Sequence, residues 1–439
     1  MHLGGVKMYR FALEKLIEWK KNKNHKPLII NGARQVGKTY LMKEFAEKYY
    51  DDYIYINFQL NKKISSFFEQ NLEPFHIISL LEYEFGKKIH SDNMLIIFDE
   101  IQECSKALTS LKYFNENAPE YDIICSGSTM GITLHQGTSF PVGKVELMKL
   151  YPMCFKEFLL AIGEEKKVEL LDKKNFDLIK VFKNDFIEKL KLYCFIGGMP
   201  KVVLDYIENK DLNLVQENQN LILQYYKFDF GKYANANQVL KINLIFDNIV
   251  SQLAKENSKF IYGALKKGAR ASEYEYALQW LEDSNLIYKV YKVTTPKIPL
   301  RAYCELDAFK VYFLDIGLLS CMSGLTSNIL TTNDDIFVEF KGILTEQFVL
   351  QEIKSAIDYF GYYYTNKTST SEIDFLINNS NGIIPIEVKA GINLKAKSLK
   401  AYMDKYNPPY AIKTSLLDYA VNGKIKNIPL YFVRDLIQK

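Results

Sequence analysis

The sequence predicts an α/β protein whose amino-terminal third folds as a parallel, doubly wound sheet. Three observations predict it. The stretch Gly32-Ala33-Arg34-Gln35-Val36-Gly37-Lys38-Thr39 satisfies G-x-x-x-x-G-K-[ST] at every fixed position, between a strand-like run, Lys26–Asn31, and a helical one, Lys38–Tyr50. A second apolar run, Asn93–Phe98, ends in Asp99-Glu100. Around them, short strand-like runs alternate with helical stretches, the pattern of parallel β/α construction.

Each element follows from its residues. Tyr9 to about Lys21 is an amphipathic helix, with Phe11, Leu13, Leu16, Ile17 and Trp19 on its apolar side. The glycine loop then lets the backbone wrap a phosphate without a Cβ in the way, while a helix N-terminus points at the same spot. Residues 32–39 are therefore the expected ATP-binding loop. Lys38 is expected to reach the β- and γ-phosphates, and the Thr39 hydroxyl to ligate Mg²⁺. Asp52–Phe58 alternates as a strand, and residues 61–90 read as helical. The run ending at Asp99 reads as a buried parallel strand. Asp99 is expected to face the same Mg²⁺, and Glu100 to polarise the attacking water. Tyr121–Cys125 is a further strand ending in Ser126-Gly127-Ser128-Thr129, where a hydroxyl, Ser126 foremost, would sense the γ-phosphate or the water; an ordinary serine-glycine turn is the plainer alternative. Val145–Pro152 closes the sheet, giving a core over 1–152.

Composition bounds the rest. With 439 residues, 48% hydrophobic and 25% charged, the chain has material for about three domains at roughly 150 residues each. A net charge of +4 excludes a global polycation, so nucleic-acid contact would need a local patch. No apolar run approaches the roughly 18 residues that a spanning helix needs. No signal peptide is read: the chain enters an amphipathic helix at once, with Met8 an alternative start to Met1–Lys7. A cytoplasmic protein without membrane contact is expected. The six cysteines form no C-x-x-C pair, which favours buried thiols over disulfides or zinc, and the five histidines show no ligand spacing.

Residues 153–234 read as helices broken by Phe195-Ile-Gly-Gly-Met-Pro200, and suit a helical lid over the nucleotide. Residues 235–324 show three short helical stretches and then strand character at Asn285–Val293, the outline of a winged-helix middle domain; a helical spacer is the alternative. Its third helix, Glu273–Glu282, is acidic, which argues against base reading. Residues 325–338 are polar and read as a linker.

The last domain, 335–439, opens with an amphipathic helix at Gly342–Ala356, then a strand at Tyr362–Thr365 and a hairpin of Ser371–Ile377 with Ile383–Lys389. Asp374 and Glu387-x-Lys389 follow the PD-(D/E)XK layout of restriction-type nucleases. Two carboxylates would hold Mg²⁺, Lys389 would help deprotonate water, and Glu346 could complete the set. Period-2 alternation puts Glu387 and Lys389 on one strand face. The competing reading is a hairpin with ordinary surface charges, or a nuclease-like binding module without cleavage. From Lys389 to Lys439 there are ten Lys/Arg against three Asp, a local basic excess.

Taken together, Gly32–Thr39, Phe98-Asp99-Glu100, Ser126-Gly127-Ser128, Tyr151-Pro-Met-Cys-Phe-Lys-Glu-Phe-Leu159, Gly197-Gly-Met-Pro200, Phe313-Leu-Asp-Ile-Gly-Leu-Leu319 and the Glu-Ile-Asp…Ile-Glu-Val-Lys pair resemble a bacterial and archaeal family of AAA-type P-loop ATPases with a carboxyl-terminal domain of unknown function. The resemblance implies a P-loop NTPase (AAA-type) core, a winged-helix middle and an α/β restriction-endonuclease-like end. One departure stands out: relatives carry Gly-Arg where this chain has Gly143-Lys144, and lysine cannot fork onto a phosphate as arginine does. Any arginine finger must then come from Arg10, Arg34, Arg270, Arg301 or Arg434, the five arginines present.

The leading expectation is an Mg²⁺-dependent ATPase whose nucleotide state repositions its carboxyl-terminal domains. The rivals are an ATP-gated metal nuclease and a non-enzymatic nucleotide switch that scaffolds a DNA or protein partner, with oligomerisation open in each case.

Overall fold

The computed structural model describes residues 8–128, 130–135, 140–255, 259–327, 341–357, 359–366, 371–390 and 397–437. Met1–Lys7, Thr129 and the linker from residue 328 onward lie outside the described residues. The chain divides into two compact units: Tyr9–Tyr151 with Asp283–Asn285, and a larger one drawn mainly from Pro152–Glu282 and Leu286–Lys439.

The first unit is built on five parallel strands, β1 (Leu28–Asn31), β2 (Asp52–Asn57), β3 (Met94–Asp99), β4 (Asp122–Gly127) and β5 (Glu146–Lys149), in the order β2-β3-β4-β1-β5. Parallel strands covered on both faces read as unbroken apolar runs. β3 is buried at all six positions, which explains the Met94–Phe98 stretch. Phe58, Phe68 and Phe98 pack edge to face with centroids 5.5–5.7 Å apart in the core between sheet and helices. β4 runs two residues further than its apolar stretch suggests, carrying Ser126 into the sheet beside Ile30.

In the second unit, helices run from Phe155–Ala161 through Ala236–Leu253, broken after Ile196 at Gly197-Gly198. That break is forced by close packing: a Cβ on Gly198 would lie 2.1 Å from the Met153 carbonyl oxygen. The Gly198 N–H donates to Asp315 at 2.7 Å, so the Tyr151–Leu159, Gly197–Pro200 and Phe313–Leu319 motifs converge on one point. Around it lies a buried polar knot. Glu352 accepts from the Phe155 N–H, Gln351 reaches Tyr193 and Asp315, and Lys156 pairs with Asp435 and Asp172.

The middle segment departs from three short helices. It has an 18-residue helix, Ala236–Leu253, a single 3-10 turn at Tyr262–Ala264, and Ala271–Asp283. Strand β6 (Ile287–Val293), expected at Asn285–Val293, pairs antiparallel with β7 (Cys304–Phe313). β6 also pairs, in parallel, with β8 (Gly361–Thr365), which pairs with β9 (Glu372–Ile373). The middle and last segments therefore share one sheet, β7-β6-β8-β9. A second mixed sheet contains β10 (Phe375–Asn379), β11 (Gly382–Val388), β12 (Ala411–Ser415), β13 (Ala420–Asn422) and β14 (Ile425–Pro429), in the order β10-β11-β12-β14-β13. Five of the six cysteines are buried, Cys304 being the half-buried exception, and none is in a disulfide.

Candidate nucleotide site

The order β3-β4-β1 sets three carboxyl-terminal strand ends side by side, the usual place for a ligand in an open α/β sheet. They carry Asp99, Ser126 and the glycine loop. The loop lies hard against the chain leaving β5: a Cβ on Gly32 would meet the Leu150 carbonyl oxygen at 2.4 Å.

Lys38 opens the helix Lys38–Tyr49. Its ammonium donates to the carbonyls of Gly32 at 2.8 Å and Ala33 at 2.9 Å. Burial lowers its pKa to about 8, partly offset by the charges of Glu100 and Asp99; the Arg34 guanidinium adds to the lowering. Backbone carbonyls are modest partners for a buried cation, and a phosphate oxygen is a stronger one.

Asp99 is 1% exposed and tethered by hydroxyls. Thr39 Oγ1 donates to one carboxylate oxygen at 2.9 Å and the Tyr55 hydroxyl to the same oxygen at 2.6 Å, while Ser126 Oγ donates to the other. The Thr39 hydroxyl and the Asp99 carboxylate are hard oxygen donors already in contact, so this pair fits Mg²⁺. Ser126 is fully buried and turned inward: its oxygen also accepts the Glu100 N–H at 3.0 Å. Glu100 takes a left-handed backbone, φ 52°, which swings its carboxylate out of the strand direction. One oxygen accepts from Ser128 Oγ at 3.1 Å and from Gln102 Nε2 at 2.5 Å. Tyr55, Gln102 and Ser128 thus hold the two acids in place; the sequence motifs assign neither Tyr55 nor Gln102, and offer Ser128 only behind Ser126 as a sensing hydroxyl. Lys144 pairs with Glu116 at 2.9 Å.

The four residues of the carboxyl-terminal pattern separate into two groups. Glu346 lies on the helix Lys341–Ala356, where it accepts from the Tyr312 hydroxyl at 2.6 Å and faces Lys310 at 3.4 Å. Lys310 also pairs with Glu372 at 2.6 Å and is 1% exposed. Burial by itself would lower this ammonium's pKa, but Glu346, Tyr312, Glu372 and Asp374 around it hold it well above the ordinary value. Asp374 accepts the Val388 N–H at 2.6 Å, and burial with Glu346 nearby pushes its carboxyl up to about 8. Glu387 pairs instead with Lys389 at 2.8 Å on one strand face, as alternation requires, and lies opposite Lys413 on β12. Among the described residues, no group of three or more His, Cys, Asp or Glu is arranged to hold a metal ion. The expected set Glu346, Asp374 and Glu387 is accordingly not arranged as such a group.

Residues 24–159 match the model of an AAA domain family. Residues 187–329 and 341–433 match two domains of unknown function, DUF8612 and DUF4143. No curated protein matches the chain. Among solved structures, the chain is similar to the Walker-type ATPase PABY2304 of Pyrococcus abyssi, at 16% identity over 72% of this chain and 96% of that one, TM-score 0.45. It is also similar to the Aeropyrum pernix ORC1 protein in complex with DNA, at 12% identity over 74% and 94%, TM-score 0.32. A third likeness is to Cdc6p from Pyrobaculum aerophilum, at 11% over 73% and 94%, TM-score 0.29. None of these three structures is near enough to bear on function. The sheet, the loop and the AAA match together define an AAA-type P-loop domain, the class to which ATP binding and hydrolysis belong. Among the described residues, no helix is long and apolar enough to cross a membrane.

Proposed function

We propose that this protein is an Mg²⁺-dependent ATPase whose larger unit delivers the response to nucleotide. The observation that carries this is the contact of Thr39 with Asp99 at 2.9 Å beside a buried Lys38 held, among the described residues, by loop carbonyls. In this reading Lys38 exchanges those carbonyls for β- and γ-phosphate oxygens. Thr39 and Asp99 hold Mg²⁺, which neutralises charge on the phosphates. Glu100 orients the attacking water, and Ser128 and Gln102 fix the angle at which its carboxylate meets it. Ser126 keeps Asp99 in register rather than touching phosphate itself. The backbone of 32–37 supplies the N–H groups that the triphosphate needs.

The supporting experiment is turnover of purified full-length chain. Lys38→Ala should lose ATP binding by at least about 100-fold, and Glu100→Gln should keep binding while kcat falls by about 100-fold or more. Wild-type turnover in either variant sinks the assignment.

For the larger unit we favour a binding role over metal-dependent cleavage. The pairing of Lys310 with Glu346 and Glu372 supports this, since it spends two carboxylates on a lysine. The helical lid, the winged-helix likeness of 235–324 and the nuclease-like outline of 335–439 remain part of this proposal. A DNA cleavage assay with Mg²⁺ or Mn²⁺ tests it: cutting that disappears in Asp374→Ala would restore the nuclease reading.

A further inference from the structure

Arg10 stands just before the first helix, Ala12–Lys21, ahead of the phosphate loop and outside every nucleotide motif, and no comparison assigns it a role. It is nevertheless 4% exposed, an unusual setting for a guanidinium. One of its terminal nitrogens donates to the carbonyl of Val36 at 2.9 Å and the other to the carbonyl of Tyr151 at 2.6 Å. Val36 immediately precedes Gly37 and Lys38. Tyr151 follows the Leu150 backbone on which Gly32 packs, and the Leu150 N–H donates to Asn31 at 2.8 Å. The two ends of the phosphate loop are therefore fastened to one stretch of chain: Asn31-Gly32 directly, and Val36 through Arg10.

From this geometry we infer that Arg10 is a positioning residue for the phosphate loop, bridging it to Leu150-Tyr151. The inference rests on the proposed ATPase activity. The physical reason is specific to arginine. A buried cation is tolerated only when hydrogen-bonded, and a planar fork can serve two divergent carbonyls at once. A lysine ammonium has no fixed fork and cannot bridge them in the same way. The loop binds phosphate through backbone N–H groups, so a loop free to shift by even about an ångström loses affinity and alignment together. Tyr151 is also peptide-bonded to Pro152, where the larger unit begins. A shift of Val36 on nucleotide binding would thus be felt at the chain joint leaving the ATPase core.

The test uses full-length protein with Arg10→Met, Arg10→Lys and, as a control, Trp19→Phe. Trp19 is buried on the helix that follows Arg10 and donates to the Lys26 carbonyl at 2.9 Å, outside the loop. Kd for Mg·ATP, KM, kcat and the melting temperature are measured for each. Arg10→Met should raise Kd and KM by about tenfold and lower kcat. Arg10→Lys should fall between Arg10→Met and wild type, and carries the test if Arg10→Met does not fold. Trp19→Phe should lower the melting temperature and leave Kd and KM within about twofold. Wild-type Kd, KM and kcat in Arg10→Met or Arg10→Lys would overturn the inference while leaving the ATPase reading intact. So would an equal rise of KM in Trp19→Phe at a matched loss of melting temperature, since that would show a merely structural effect. A wild-type chain that does not bind ATP overturns both.

Discussion

Two lysines, each buried beside carboxylates, occupy opposite situations in this molecule. Lys38 rests on backbone carbonyls, with Asp99 and Glu100 felt as charges but tied elsewhere. Lys310 rests directly on Glu346 and Glu372. The first ammonium has modest partners it can leave when a phosphate arrives. The second has partners that nothing short of another cation could replace. The difference shows that burial and charge do not by themselves mark a ligand site; what matters is whether the cation's present partners are weaker than the incoming one.

The comparison can be broken most directly at Lys310. Lys310→Met leaves the half-buried Glu346 and Glu372 without their cation and should cost about 2–4 kcal/mol of stability, with Mg·ATP affinity unchanged. Denaturant unfolding and nucleotide titration of the same sample check it. Lys38→Ala should do the reverse, and matching effects in the two variants would erase the distinction. A smaller effect is expected in the buried knot. Burial raises the Glu352 carboxyl to about 7, with Asp435 and Glu157 adding to it against Arg434 and the Phe155 N–H. Asp315 is raised to about 6, again chiefly by burial. Both folded-state values lie above the unfolded ones, so their contribution is full below the unfolded pKa and is lost as pH rises through the folded value. Stability of wild type relative to Glu352→Gln should therefore fall between about pH 4.5 and 7, by at most about 1.4 kcal/mol per pH unit, and level off above. A flat difference across that range contradicts it. The smallest effect concerns Ser126→Ala, which takes the hydroxyl donor from one Asp99 oxygen and leaves it the Glu100 N–H at 3.2 Å. A loss of about 1–2 kcal/mol in Mg·ATP binding is expected, with adenosine 5′-triphosphate affinity in EDTA much less changed.

The parts legible in the sequence were those encoded locally. Gly32–Thr39 is contiguous, and Asp99 is flagged by the apolar run that precedes it. The residues that hold these groups were not legible, because their roles come from strand order. Ser128 reaches Glu100 only because β4 lies beside β3, and Arg10 reaches Tyr151 across 141 positions. Lys310 leaves a trace in the sequence: a lysine inside Phe309–Phe313, an otherwise apolar stretch, on the same face as Tyr312, demands a buried partner. The pattern Asp374…Glu387-x-Lys389 marks the hairpin of β10 with β11 and the pairing of Glu387 with Lys389, but the expected strand Ser371–Ile377 is split at Asp374 between β9 and β10 in two different sheets, and the pattern says nothing of the lysine arriving from β7.

The burial of the cysteines has a practical corollary for spectroscopy. Burial raises the thiols of Cys104, Cys125, Cys154, Cys194 and Cys321 above the ordinary range, which starves them of the reactive thiolate. Cys304 alone is partly accessible, at the head of the strand that carries Lys310. The native chain should accept one maleimide fluorophore per molecule without any engineered cysteine. That single dye would sit on β7, from where its emission could follow the larger unit while ATP turns over in the smaller one.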